Sequence, residues 1–305
     1  MRYVLSLLFA VCVAFGAESG AKEAFNRGLS AYNCGDLQEA IKQYTQALKI
    51  DPNYADAYNN RGIAYKNLGD ISNAIADYAQ AIKIDPKDAK AYYNRGDAYK
   101  DLGDYGKAIS DYDQTIKIDP KDASAYNNRG LAYVGLDDYN KAIEDFTLAI
   151  EIEPKDATAY ANRGTAHASL GDYDKAIEYF ALAIRIDPNF AEAYYNLGNV
   201  YDDLGDTAKA VANYTEAIEI DPEYVDAYNN RGGAYYNLGN YEQAIEDLAL
   251  VIKIDPNDVV GYYNRGAVYY NLGDYKSATK DARKACELGN CKLLQLLTQE
   301  GYLRD

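Results

Sequence analysis

The residue types that support acid–base or metal chemistry are scarce in this chain. His167 is its single histidine, and no phosphate-binding loop or Gly-x-Gly run outside predicted helix turns is present. A histidine-dependent relay or a zinc site needs more than that. Paired carboxylates such as Asp202 and Asp203 are neighbours in sequence, and adjacent residues of a helix point apart. No enzyme, metal or cofactor is therefore expected. What recurs instead is an amide. Asn26, Asn60, Asn94, Asn128, Asn162, Asn196, Asn230 and Asn264 stand 34 residues apart. Each offers two donors and one acceptor, the complement of a polypeptide backbone. The chemistry to expect is hydrogen bonding along an extended surface.

The elements that position these amides follow the same interval. All seven prolines, Pro52, Pro86, Pro120, Pro154, Pro188, Pro222 and Pro256, are spaced by 34. A chain of 305 residues would ordinarily suggest about two domains, but this spacing marks an array of repeats. An apolar fraction of 48% excludes wholesale disorder. A formal charge of −16 argues against nucleic acid, whose binding rests on Lys and Arg neutralising phosphates.

Residues 1–17 are of another kind. Met1 and Arg2 precede an apolar run, Val4 to Phe15, closed by Gly16 and Ala17. This reads as a secretory signal peptide, cut after Gly16 or Ala17; a buried or membrane-anchoring N-terminal helix is the alternative. Cys12 raises a lipoprotein variant, but Val11 is large for a lipid-attachment site. The run is shorter than the roughly 20 apolar residues of a membrane span, so no integral span is expected after cleavage. The expectation is an exported protein, periplasmic or secreted. Cys34, Cys286 and Cys291 then remain. Cys286 and Cys291 flank a Gly-containing turn and either close a small disulfide loop in an oxidising compartment or stay as two thiols.

Counting back from the prolines gives eight units: 21–54, 55–88, 89–122, 123–156, 157–190, 191–224, 225–258 and 259–292. In Ala55 to Asp88, Tyr58, Gly62 and Tyr65 form one helical stripe and Ala74, Tyr78, Ala81 and Ile82 a second. Gly69 ends the first helix in a left-handed conformation and Asp70 caps the second. Asp36, Asp104, Asp138, Asp172, Asp206, Asn240 and Asp274 hold the same capping place. The residue before each proline disfavours helix and stops the second stripe. A Gly row beginning at Gly28 faces an Ala row beginning at Ala40, which implies close helix crossing.

This pattern resembles the tetratricopeptide repeat. In Ala191 to Tyr224 the signature reads Tyr194, Leu197, Gly198, Tyr201, Ala210, Tyr214, Ala217 and Pro222. Departures are Ala24 and Ala31 in the first repeat, Asp137 for the turn glycine, His167 for a tyrosine and Ala282 for an aromatic in the last. The resemblance implies an all-α, right-handed superhelical solenoid of antiparallel helix pairs. Residues 293–305, with Leu293, Leu294, Leu296 and Leu297, are expected to form a capping helix and tail.

Where the family commonly has Leu, this chain has Arg27, Arg61, Arg95, Arg129, Arg163, Arg231 and Arg265, with Leu197 the exception. Sixteen residues on stand Gln43, Asp77, Asp111, Asp145, Tyr179, Asp247 and Asp281, and Asn213 follows Leu197. An Arg–Asp bridge between the two helices of a repeat is the expected reading; basic anchors for a ligand are the alternative. Of 33 tyrosines, 17 fall in three packing places and read as core.

The resemblance further implies a concave groove lined by the first helix of each repeat, with the Asn row similar to the asparagine ladder of peptide-binding members. The alternative is that Asn ties neighbouring repeats together. Variable groove places include Lys66 and Lys100, acidic Asp202 and Asp203, and aromatic Tyr236 and Tyr270. Such a graded surface suits an extended polypeptide, with Lys66 and Lys100 favouring acidic side chains; neutral drift on an unused face is the alternative. The expected function is a scaffold binding a protein or peptide partner. Self-association as a structural protein of the cell envelope is the rival, and carbohydrate binding through exposed tyrosines a third reading.

Overall fold

The computed structural model describes residues 20–303; segment 1–17, expected to be a signal peptide, lies outside the described residues. Every regular element among the described residues is an α-helix. The chain divides after Pro154 into two compact units of four repeats each. In the first, α1 (20–33), α2 (Leu37–Ile50), α3 (Ala55–Asn67), α4 (Ile71–Ile84), α5 (Ala89–Asp101), α6 (Tyr105–Ile118), α7 (Ala123–Val134) and α8 (Tyr139–Ile152) follow in order. The second holds α9 (Ala157–Ser169), α10 (Tyr173–Ile186), α11 (Ala191–Asp203), α12 (Thr207–Ile220), α13 (Val225–Asn237), α14 (Tyr241–Ile254), α15 (Val259–Asn271), α16 (Tyr275–Glu287) and α17 (Lys292–Gln299). Odd-numbered helices up to α15 open a repeat and even-numbered ones close it. Within each unit, successive opening helices lie side by side.

The turns explain why the chain reverses where it does. After α3, Gly69 takes φ +81°, and Gly69 N donates to Lys66 O at 2.9 Å and Asp70 N to Tyr65 O at 2.9 Å. These two bonds occupy carbonyls that the helix end leaves unpaired. Asp70 then accepts from Asn73 N and opens α4. At the far end Asp85, just before Pro86, is extended at φ −122°, ψ 93° and terminates α4. Six of the eight capping residues accept a backbone N–H. Asp172 and Asn240 do not. Asp172 instead turns Oδ2 toward Lys175 Nζ at 2.9 Å and His167 Nδ1 at 3.3 Å. Asp137, in the place of a turn glycine, is forced to φ +58°.

Helix crossing is set by small residues. A Cβ built on Gly62 would lie 2.6 Å from the ring of Tyr78, and on Gly198 2.6 Å from that of Tyr214. The glycine face thus receives an aromatic ring from the second helix. Ala40, Ala74, Ala108, Ala142, Ala176, Ala210, Ala244 and Ala278 are all fully buried, the first six in repeats with such a ring and Ala244 beside Leu248. Ala282 leaves no ring in the last repeat. There the Cβ of a residue at Gly266 would meet Leu293 of α17 at 2.7 Å. Leu293 and Leu297 pack with Ala278 and Ala282 and fill that space.

The tyrosine reading needs a correction. Tyr44, Tyr78, Tyr112 and Tyr214 are buried, but of the other two rows only Tyr228 is; the rest are half-buried. Many of them also lie beside a cation: the Arg61 guanidinium is 5.5 Å from the Tyr58 ring and 5.9 Å from that of Tyr65, and Lys107 Nζ is 5.2 Å from that of Tyr99. Cation–π contact adds to apolar packing in these rows, since Tyr58, Tyr65, Tyr99, Tyr201 and Tyr235 also border buried clusters.

The arginines themselves bridge the helix pair. Arg61, Arg95, Arg129, Arg231 and Arg265 each grip the Asp sixteen residues on through Nε and Nη2. Arg27 donates to Gln43 at 2.9 Å. Arg163 lies 4.3 Å over the Tyr179 ring, while Leu197 is buried. The spacing of sixteen places both partners at one height on the hairpin.

Candidate binding groove

The Asn row runs along the opening helices. Asn26 is exposed and the other seven are half-buried. Several amides reach back 31 or 35 residues to the preceding opening helix. Asn94 Nδ2 donates to Asn59 Oδ1 at 2.9 Å, Asn128 Nδ2 to Tyr93 Oη at 2.8 Å, and Asn230 Nδ2 to Tyr195 Oη at 3.2 Å and Asn199 Oδ1 at 2.9 Å. Asn60 Nδ2 instead bonds Asp56 O of its own helix at 2.8 Å. Asn162 is also engaged; Asn196 and Asn264 are placed equivalently. The row therefore does join neighbouring repeats. An amide that donates one hydrogen this way keeps a second donor and its carbonyl, so the tie does not exhaust it.

In the first unit the opening helices α3, α5 and α7 enclose a cavity of about 650 Å3. Asn59, Asn60, Ile63, Tyr93 and Asn94 contribute to its wall. Burial pushes the Tyr93 phenol up to about 12, so it stays protonated near neutrality and serves as a neutral hydrogen-bonding group.

Lys66 and Lys100 stand further along the same helices, but they are not open cations. Lys66 Nζ is paired with Asp97 and lies 3.0 Å from Asp101. Lys100 Nζ lies 3.2 Å from Asp97 and donates to Asn128 Oδ1 at 2.6 Å. Burial alone would raise the Asp97 carboxyl, yet the two ammonium groups hold it below its ordinary value. The two lysines and two aspartates cancel in charge, which removes the basic spot expected from sequence. Asp97 and Asp101 escaped notice as the partners, although an interval of 31, one repeat less one helical turn, was the available signal.

In the second unit, Tyr236 Oη accepts from Asn271 Nδ2 at 2.6 Å and its ring lies 5.6 Å from Tyr241. Tyr270 Oη donates to Glu300 at 2.5 Å, which pushes its phenol up to about 12. Both are half-buried, with hydroxyls committed within the protein. Asp202 and Asp203 are exposed; partial burial and the neighbouring Asp203 raise the Asp202 carboxyl. Cys286 and Cys291 are joined by a disulfide ahead of α17, and Cys34 is free and exposed. Among the described residues no group of three or more His, Cys, Asp or Glu is placed to hold a metal. Nor, among them, is any helix long and apolar enough to cross a membrane.

Helical hairpins of fixed length, each closed by an Arg–Asp or equivalent contact and presenting its first helix along a groove, define a helical-repeat scaffold. The chain belongs to the tetratricopeptide repeat family. A model described as TPR repeat matches residues 28–69, 67–103, 96–137, 164–205, 199–239 and 232–273. Tetratricopeptide repeat models also match 123–156, 259–289 and 146–178. No curated protein matches the chain. Among solved structures, a MamA protein is 29% identical over 57% of this chain and 94% of its own, with a TM-score of 0.52. YrrB, a repeat protein with an unusual peptide-binding site, is 26% identical over 60% of this chain and 95% of its own, with a TM-score of 0.50. A tetratricopeptide repeat protein from Parabacteroides merdae shares the fold at 22% identity and a TM-score of 0.61, covering 92% of this chain and 98% of its own.

Proposed function

We propose that the chain is an exported scaffold that holds an extended segment of another protein in the groove of its opening helices. The observation that carries this reading is the cavity formed by α3, α5 and α7, whose wall presents the amides of Asn59, Asn60 and Asn94. Amides at repeat spacing match a backbone, which offers donors and acceptors at regular intervals whatever its side chains. The peptide-binding site of YrrB supports the reading as a property of a similar protein. Export rests on the apolar run Val4 to Phe15, and the Cys286–Cys291 disulfide fits an oxidising compartment.

The test is site-specific photocrosslinking in the native cell. A photoreactive residue at Ile63, half-buried in the groove wall, should capture a partner that one at Lys83, exposed on α4, does not. Equal capture from both positions would refute the groove. N-terminal sequencing of the mature protein checks export, with a start at residue 17 or 18 expected.

A second reading, self-association, is favoured by one observation. Leu68, Leu102 and Leu136 in the first unit, and Leu170, Leu204, Leu238 and Leu272 in the second, are exposed at the turn of every hairpin after the first. Light scattering at two concentrations separates the readings; a constant monomer mass removes this one.

A further inference from the structure

The cavity of the first unit has a charge that the sequence did not suggest. Four carboxylates line it, Asp56, Asp88, Asp119 and Asp122, against one ammonium group, Lys90. Lys66 and Lys100 do not offset this excess, because Asp97, Asp101 and Asn128 already engage them. Helix N-termini carry partial positive charge, about half a unit each, and α5 and α7 begin at this cavity. Both ends are occupied, since Asp88 accepts from Lys90 N and Asp122 from Ala125 N at 3.0 Å each. Each of these carboxylates retains a second oxygen.

A second observation concerns the floor. Asn59 is only 8% exposed and lines the cavity. Its Oδ1 accepts from Asn94, and its Nδ2 donates to nothing among the described residues. A carbonyl oxygen entering the cavity would satisfy it. The adjoining Asn60 has given its Nδ2 to Asp56 O, which leaves its Oδ1 to accept a backbone N–H.

We infer that this groove takes an extended segment carrying lysine or arginine, its backbone carbonyl on Asn59 Nδ2 and its cation among Asp56, Asp88, Asp119 and Asp122. The inference rests on the groove reading proposed above and replaces an acidic guest with a basic one. A basic guest gains Coulomb attraction from the surplus carboxylates, whereas an acidic one would meet repulsion with no free cation except Lys90 to offset it.

Selection of random dodecapeptides displayed on phage against the purified full chain tests it. Enriched sequences should be rich in Lys and Arg, and their affinity should fall with added salt. Asp56→Asn combined with Asp119→Asn should weaken them on the order of tenfold, from two exposed ion pairs lost, with helicity by circular dichroism unchanged. Enrichment of neutral or acidic peptides overturns the inference and leaves the groove reading standing. Basic peptides indifferent to the double substitution overturn the placement of the site. If no peptide is enriched, both readings fall.

Discussion

Arg129 holds Asp145 through two parallel hydrogen bonds, Nε to Oδ2 at 2.8 Å and Nη2 to Oδ1 at 2.6 Å, and turns Nη1 back to Asp113 of the preceding repeat at 2.5 Å. One guanidinium thus spans its own hairpin and the neighbouring one. Arg61 and Arg231 make the same reach to Thr45 and Thr215. The five buried bridges act within repeats and three of them also between repeats, where a solenoid has only neighbour contacts to depend on.

Asp145→Ala should therefore lower stability by about 1.5–3 kcal/mol, because a half-buried guanidinium loses two charge-assisted hydrogen bonds and keeps only Asp113. The chain already contains the apolar solution, Leu197 with Asn213. Arg129→Leu with Asp145→Asn should recover most of that loss, since well-packed replacements of buried pairs are often neutral. Urea unfolding midpoints of the two variants decide it; equal losses would refute the account.

Two glycines of the second unit should respond oppositely to the same substitution. Gly198→Ala places a Cβ 2.6 Å from the Tyr214 ring and should destabilise by about 1–3 kcal/mol through overpacking. Gly233→Ala meets nothing within 4 Å and should stabilise by up to about 1 kcal/mol from helix propensity alone. Thermal melts of both, in parallel, give the sign of each.

Asp137 is the one non-glycine residue at positive φ among the described residues. Asp137→Gly relieves that conformation and should stabilise the fourth repeat by roughly 0.5–1 kcal/mol. The loss of the Tyr139 Oη bond to Asp137 Oδ1 at 2.8 Å, an exposed contact, works against this gain without cancelling it. A melting temperature unchanged or lowered would contradict the prediction.

His167 is buried and stacked 5.3 Å from Tyr179. Burial lowers its imidazole below the usual 6.5, and Asp172 opposes this without reversing it. The unfolded chain then binds the proton first, so stability present above pH 6.5 is lost as pH falls below it. His167→Tyr, the residue at the equivalent Tyr133 and Tyr201, should flatten the dependence. Unfolding midpoints at pH 7.5 and 5.5, compared between the two proteins, test this.

What could be read beforehand follows the length scale of each interaction. The Arg–Asp bridges were legible because a hairpin of fixed turn length puts residues sixteen apart at one level, and the lone Leu197 changed together with Asn213. The fate of Lys66 and Lys100 was not, because reading the variable places of each helix in turn hid Asp97 on the next one. Charge reversal at Lys66 would now set a carboxylate against Asp97 and Asp101, and so disturbs folding before it reports on binding. The tyrosine rows were legible in part for a related reason: helical spacing identifies a face that packs toward the core, but not the cation that the same ring also meets. Asp172 was counted as a cap on residue type, and it is the one of these aspartates that faces a histidine, His167 at 3.3 Å.

The repeat length has a consequence for how such a chain can change. Asn128 bonds Tyr93 and Asn94 bonds Asn59, each across 35 residues. Excising residues 89–122 in frame would join Asp88 to Ala123 and set Asn128 opposite Asn59, an acceptor already used in that way. Arg129 would meet Ala79 of α4 in place of Asp113 and would keep Asp145. One whole cassette could be lost at the expense of the Arg129–Asp113 pair and of the pairs Lys66 makes with Asp97 and Asp101, so recombination between repeats can lengthen or shorten the groove without a new fold having to be found.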